Sequence, residues 1–149
     1  MKKITDFRKL LGVNEFTSLL ELKSLYRAFM KDWHPDKFTD SNLEQKVAEE
    51  KSKAYIEAYH FLVSIASETR KASLVEYQNT TTQENLKDYQ FKSQVLIVEF
   101  TDGSSYEYFD VPKAVYTKLV NADSPGRFAR RHIFNSYIYR STSKIANSV

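Results

Sequence analysis

The stretch Tyr26-Arg27-Ala28-Phe29-Met30-Lys31-Asp32-Trp33-His34-Pro35-Asp36-Lys37 decides how the first half of the chain folds. Its apolar members continue a stripe of Leu22, Leu25, Tyr26, Phe29 and Trp33, spaced three and four apart, which is one face of an α-helix. Pro35 ends that helix near Trp33, because the residue before a proline is pushed out of the helical region. Upstream, Ser18 and Glu21 have capping-box spacing and mark the helix start. Downstream, Ser41 and Glu44 repeat the signal and open a long helix with an expected inward face of Val47, Ala54, Tyr55, Ala58, Phe61, Leu62 and Ile65. About eight residues join the two, so they form an antiparallel hairpin with His34-Pro35-Asp36 at its tip. Thr5 or Asp6 caps a shorter first helix carrying Phe7, Leu10 and Leu11, which Gly12 stops.

On the other face of the second helix, Lys23, Arg27 and Lys31 stand four apart and line one ridge leading to His34. Charges at this spacing are often only a solvated helix face. A metal or acid–base site built from His34, Asp36 and His60 is the rival reading. Two potential ligands beside a proline do not make the three- or four-ligand set a metal requires.

The 149 residues allow one medium domain or two small ones. Hydrophobic content of 42% and charged content of 28% suit a folded globular protein. No apolar run approaches a membrane span, and no apolar segment follows Met1-Lys2-Lys3, so neither span nor signal peptide is expected. Cysteine is absent, which removes disulfides and thiolate sites. These features lead us to expect a cytoplasmic protein. A net charge of +3 is too mild to argue by itself for a nucleic-acid partner. It divides as 13 basic against 12 acidic residues through Tyr77 and 9 against 7 after it.

Residues 78–85, Gln-Asn-Thr-Thr-Thr-Gln-Glu-Asn, hold no apolar side chain and read as a linker. The expected organisation is a helical domain over 1–77, that linker, a second domain over 86–141 and a polar tail over 142–149. In the second domain, Tyr89 and Phe91 precede the run Val95–Phe100. Asp102-Gly103 then signals a two-residue hairpin to Tyr106 and Tyr108. Asp110 caps a helix with Pro112 near its start and Val115, Tyr116, Leu119 and Val120 on its apolar face. Ser124-Pro125 begins another helix through Arg131. A small antiparallel sheet covered by two helices is the expected result.

The run from Tyr26 to Lys37 resembles the J-domain signature. Asp6-Phe7 through Leu11-Gly12-Val13 is similar to that family's first helix, Ala58-Tyr59-His60-Phe61-Leu62 to its third, and Lys71 through Tyr77 loosely to its closing helix. The resemblance implies an all-α four-helix J-domain that docks on a DnaK-type heat-shock chaperone and stimulates its ATPase. It gives the docking roles to His34, Pro35 and Asp36 and to Lys23, Arg27 and Lys31. It implies an adaptor and not an enzyme, with no cofactor and no metal. Without the Gly/Phe-rich segment and zinc-binding cysteines of general DnaJ proteins, a specific protein client is expected.

A second resemblance, to the KTSC domain, is carried by Val98-Glu99-Phe100, Gly103, Tyr106-Glu107-Tyr108-Phe109, Val111-Pro112, Val115-Tyr116, Leu119 and Asn121-Ala122-Asp123-Ser124. Gly126, His132-Ile133 and Tyr137-Ile138-Tyr139 complete it. Arg127, Arg130 and Arg131, on one helix face, are the candidate contacts to RNA or to a protein client, with Tyr106 and Tyr108 as candidate stacking rings. Strand aromatics are more often core, and the modest charge favours a protein client. The alternative function is an RNA-binding regulator whose J-like half is only a scaffold.

Overall fold

The computed structural model describes residues 2–38 and 42–142. The chain divides into two compact units, Lys2–Thr69 and a second beginning at Arg70. Among the described residues, no helix is long and apolar enough to cross a membrane.

The first unit is helical: α1 Lys2–Leu11, α2 Leu19–Trp33, a single 3-10 turn at Pro35–Lys37, and α3 Asn42–Ile65. Helix α1 starts earlier than a cap at Thr5 or Asp6 allows. Ile4 is 3% exposed and joins Leu11 in the core, while Leu10 is half exposed, so the buried stripe needs helical turns before Thr5. Gly12 ends α1 in the left-handed region at φ 72°, as a C-terminal glycine does. Val13 N–H closes onto the Arg8 carbonyl at 2.9 Å.

Helix α2 begins and ends where its sequence signals place it. The Ser18 hydroxyl accepts from Glu21 N–H at 3.1 Å, and the last helical residue is Trp33. Helices α2 and α3 meet through stacked rings, Phe29 on Tyr55 at 3.8 Å and Tyr26 on Tyr59 at 4.2 Å. The first turns of α3 bury a different face from the expected one: Ala48 and Ser52 are buried, whereas Val47 is half exposed and Ala54 is exposed. A helix close to its neighbour selects small residues, and Ser52 donates to the Trp33 carbonyl at 2.8 Å, satisfying a group that the end of α2 leaves open. Ser41, half of the expected capping box, lies outside the described residues.

The expected linker is corrected most. Residues 78–83 belong to a helix, α5 Leu74–Gln83, which follows the short α4 Ser67–Ala72. Tyr77 is 1% exposed, and Thr80 and Thr81 are also buried. Tyr77 therefore closes no first domain; it sits in the core of the second unit, and the division falls near Thr69. A polar segment buries itself here because threonine methyls pack while threonine hydroxyls bond the preceding turn, as Thr81 does to the Gln78 carbonyl.

Four antiparallel strands follow in sheet order: β1 Leu86–Lys92, β2 Val95–Phe100, β3 Ser105–Tyr108 and β4 Tyr139–Ser141. Helices α6 Lys113–Asn121 and α7 Pro125–His132 lie between β3 and β4 in sequence, so three helices accompany this sheet, not two. Leu96, Val98 and Phe100 alternate inward on β2. Tyr106, Tyr108 and Tyr139 continue that face, and Leu119, Ala129, Ile133 and Phe134 join the same core.

The Asp102-Gly103 hairpin has a three-residue loop instead of the expected two. Gly103 N–H bonds the Phe100 carbonyl at 3.0 Å, and Gly103 sits at φ 88°. This is a turn followed by a glycine bulge. Asp110 does not cap α6: it lies at φ 60°, and Pro112 holds the cap position. Of the expected tail, Thr142 is bonded to Ser105 and the remainder lies outside the described residues.

The two-residue hairpin occurs instead between β1 and β2, at Ser93 and Gln94, where Lys92 pairs Val95. Both turn residues have positive φ, 51° and 64°, and neither is the Asn or Gly that such a turn favours. Replacing Gln94 by glycine removes left-handed strain of ~1–2 kcal/mol and adds ~0.5–1 kcal/mol of unfolded-chain entropy. The expected result is a gain of about 0.5–1 kcal/mol, read as a higher urea midpoint for the second unit. An unchanged or lower midpoint contradicts it.

Candidate interaction sites

The tip of the first unit is built by the ends of α2 and α3. His34 closes α2 by donating its backbone N–H to the Met30 carbonyl, and Lys37 N–H returns to the His34 carbonyl at 3.0 Å. The 3-10 turn between them leaves Asp36 with an 88% exposed side chain and His34 with one 45% exposed. Asp36 N–H donates to His34 Nδ1 at 3.2 Å, while Asp36 Oδ2 stands 3.5 Å from the same nitrogen. One nitrogen cannot accept from the N–H and also carry a proton. The two contacts are therefore alternatives of one turn: the backbone hydrogen bond needs a bare Nδ1 and the ion pair needs a proton on it.

Behind the tip the aromatic packing is dense. Trp33 stacks on Phe38, and the Lys51 ammonium lies 3.7 Å from the Trp33 ring centroid. Lys23, Arg27 and Lys31 are all exposed along α2, so the structure places them on one ridge behind His34 as their spacing requires. Sequence reasoning missed the groove beside the tip. About 650 Å³ in volume, it is lined by Met30, His34, Asp36, Glu49, Ser52, Lys53, Ile56 and Glu57. The only trace of it in the sequence is a serine on the buried stripe of α3. His60 is exposed beside the Tyr26 and Tyr59 rings. Among the described residues no group of three potential ligands could hold a metal ion.

In the second unit the candidate residues separate. Arg127, Arg130 and Arg131 are exposed on α7. Ser124 holds the start of that helix by accepting from Arg127 N–H, and Ala129 faces the core. Tyr108 and Tyr106 are corrected as stacking rings: they are 0% and 6% exposed and cannot reach a base. They belong to a hydroxyl and ring cluster instead. The Tyr77 hydroxyl lies 2.9 Å from that of Tyr108 and donates to the Phe134 carbonyl, and the Tyr77 ring stacks on Tyr139 at 3.8 Å. Burial pushes the hydroxyls of Tyr77, Tyr108 and Tyr139 up from the usual tyrosine value and that of Tyr106 to about 12. The cluster is neutral at ordinary pH. Its task is packing.

The KTSC domain family matches the chain over residues 83–137. Among curated proteins, a Chaperone protein DnaJ of Mesomycoplasma hyopneumoniae (strain 232) is 48% identical over 58 residues, covering 38% of this chain and 16% of that protein. A Lysine--tRNA ligase of Trichormus variabilis is 40% identical over 60 residues, covering 39% of this chain and 11% of that protein. A Chaperone protein DnaJ of Fusobacterium nucleatum is 41% identical over 58 residues, 38% of this chain and 15% of its own length. The chain thus spans 11% to 16% of the length of these relatives. Residues 83–137 of this chain, which hold β2, β3 and the buried Tyr106 and Tyr108 pair, are a KTSC domain.

Proposed function

We propose that this protein is a J-domain co-chaperone, which docks on a DnaK-type heat-shock chaperone in the cytoplasm and stimulates its ATPase, with the KTSC domain selecting the client. One observation carries the reading. The helical hairpin presents His34 and the almost fully exposed Asp36 at its tip, with three exposed cations four residues apart leading to them. A helix that served only as a scaffold has no need to keep that turn out of its packing.

The roles divide by physics. The proline holds the backbone before docking, so less entropy is lost on binding. Asp36 accepts hydrogen bonds from the partner, and His34 offers Nε2–H. Lys23, Arg27 and Lys31 meet an acidic surface and set approach and register more than raw affinity. None of this is chemistry performed by the chain itself.

The test is the ATP turnover of a bacterial DnaK titrated with the full chain, which is expected to rise in a saturable way. Arg27→Glu is expected to raise the half-saturating concentration several-fold at low salt. The defect should shrink as the Debye length falls from about 30 Å at 0.01 M to about 8 Å at 0.15 M ionic strength. No stimulation by the wild-type chain, or a defect indifferent to salt, counts against the proposal.

A further inference from the structure

The sheet of the second unit ends in two unlike edges. Strand β4 is three residues long, whereas β1 runs for seven, Leu-Lys-Asp-Tyr-Gln-Phe-Lys, and among the described residues pairs only β2. Lys92 pairs Val95 across the two-residue turn, so Lys92 and Gln90 turn their backbone groups to β2 while Phe91 and Tyr89 turn theirs outward. Tyr89 N–H accordingly donates to Asp88 Oδ1 beside it, at 2.8 Å, and not to β2. An open edge of this length is a template for another strand. Its side chains fall into two rows. Tyr89 and Phe91 face the core with their partners Val98 and Leu96, yet both rings are only half-buried, against Tyr116. Asp88, Gln90 and Lys92 are exposed on the opposite face. Among the described residues neither Asp88 nor Lys92 has an ion-pair partner, whereas Lys87 stands 3.6 Å from Glu99.

We infer that β1 is a dimerisation edge, on which β1 of a second copy pairs antiparallel about a two-fold axis at Gln90. The outward backbone groups limit the register, because outward-facing residues must stand opposite one another. The strand pair can then be centred on Asp88, Tyr89, Gln90 or Phe91. Centring on Asp88 sets two like charges face to face, and centring on Tyr89 or Phe91 sets a charge opposite Gln90. Centring on Gln90 sets Asp88 opposite Lys92 of the second copy, and the symmetry of the pair does so twice. It also sets Tyr89 opposite Phe91, so the two exchange their outward backbone bonds and half-buried rings of both copies cover one another on the core face. Tyr89 N–H passes from Asp88 to the Phe91 carbonyl of the second copy, which releases the carboxylate to Lys92. A foreign strand gains the same backbone bonds but brings no fixed complement to these charges, and charged edges deter such strands. Charges that oppose other strands and match themselves select a second copy of this chain.

The experiment is sedimentation equilibrium of the full chain at low salt, from about 5 to about 500 µM. The wild-type chain is expected to pass from monomer to dimer within that range, as suits a small interface of less than about 1,200 Å². Asp88→Lys and Lys92→Asp each set like charges opposite one another twice, and each is expected to weaken self-association about tenfold or more. Both positions are exposed, so circular dichroism is expected to stay as in the wild type. An equimolar mixture of the two variants is expected to recover wild-type association, because one copy then carries both positive charges and the other both negative ones. The double variant, with both substitutions in one chain, is expected to recover it alone. Three results overturn the inference: a wild-type chain still monomeric at about 500 µM, whether or not a foreign peptide strand binds the edge; single substitutions that associate as the wild type does, which puts the interface elsewhere; or a mixture and a double variant that both stay monomeric.

Discussion

His34→Gln is expected to fold as the wild-type chain does and to leave a DnaK-type chaperone at its unstimulated rate of ATP turnover. The folding half of this prediction rests on exposure. The imidazole is 45% exposed, its polar contacts lie within the turn to Asp36, and the core of the first unit is made by Leu22, Ala48, Tyr55, Phe61 and Leu62 instead. Surface changes of this kind usually alter stability by less than ~0.5 kcal/mol. The functional half rests on the proposed docking role. Glutamine has similar reach but neither the planar ring nor an Nε2–H held in place by a neighbouring backbone N–H. Asp36→Asn is expected to act in the same direction, since it removes the charge that a partner's donor would meet. Turnover measured across a titration, with circular dichroism on the same samples, decides the matter. Full stimulation by a folded His34→Gln chain would remove the tip from the mechanism.

Tyr77→Ala is expected to unfold the second unit or bring it to the edge of unfolding. The substitution opens a cavity where a fully buried ring stacked on Tyr139, and it strips partners from the Tyr108 hydroxyl and the Phe134 carbonyl. Loss of a large buried ring costs ~3–5 kcal/mol, and each stranded polar group a further ~1–3 kcal/mol. A domain this small has a total stability near the lower end of ~5–15 kcal/mol. Tyr77→Phe keeps the packing and is expected to cost only ~1–3 kcal/mol. The same physics predicts that residues 70–149 fold by themselves while 86–149, which lacks α5, do not. Urea unfolding of both substitutions and near-UV circular dichroism of both fragments check this. A stable, cooperative 86–149 fragment would show that α5 is dispensable and the boundary near Thr69 misplaced.

The boundary also shows where sequence reasoning stops. Local chemistry was enough for the ends of α2, because Ser18 and Pro35 act within a few residues of themselves. It was enough for the ridge, since a four-residue spacing fixes a shared helix face whatever the helix packs against. It was enough for the inward alternation of β2 and for the start of α7 at Ser124-Pro125. It failed wherever the deciding neighbour is distant in sequence. Residues 78–83 look like a linker until Tyr77 meets Tyr108 and Phe134, which are 31 and 57 residues away. The face of α3 turned on the room that α2 leaves for Ala48 and Ser52. The groove beside His34 exists only because two helices bring Met30 and Ile56 to one place.

For function the division is similar. The sequence alone determined the tip, its His34-Pro35-Asp36 order and the cations behind it, because all lie within fifteen residues on one helix and its turn. Tertiary structure alone decided which aromatic residues face solvent. Burial is a property of the whole sheet and its covering helices, and it turned Tyr106 and Tyr108 from candidate readers into core while leaving Arg127, Arg130 and Arg131 outside.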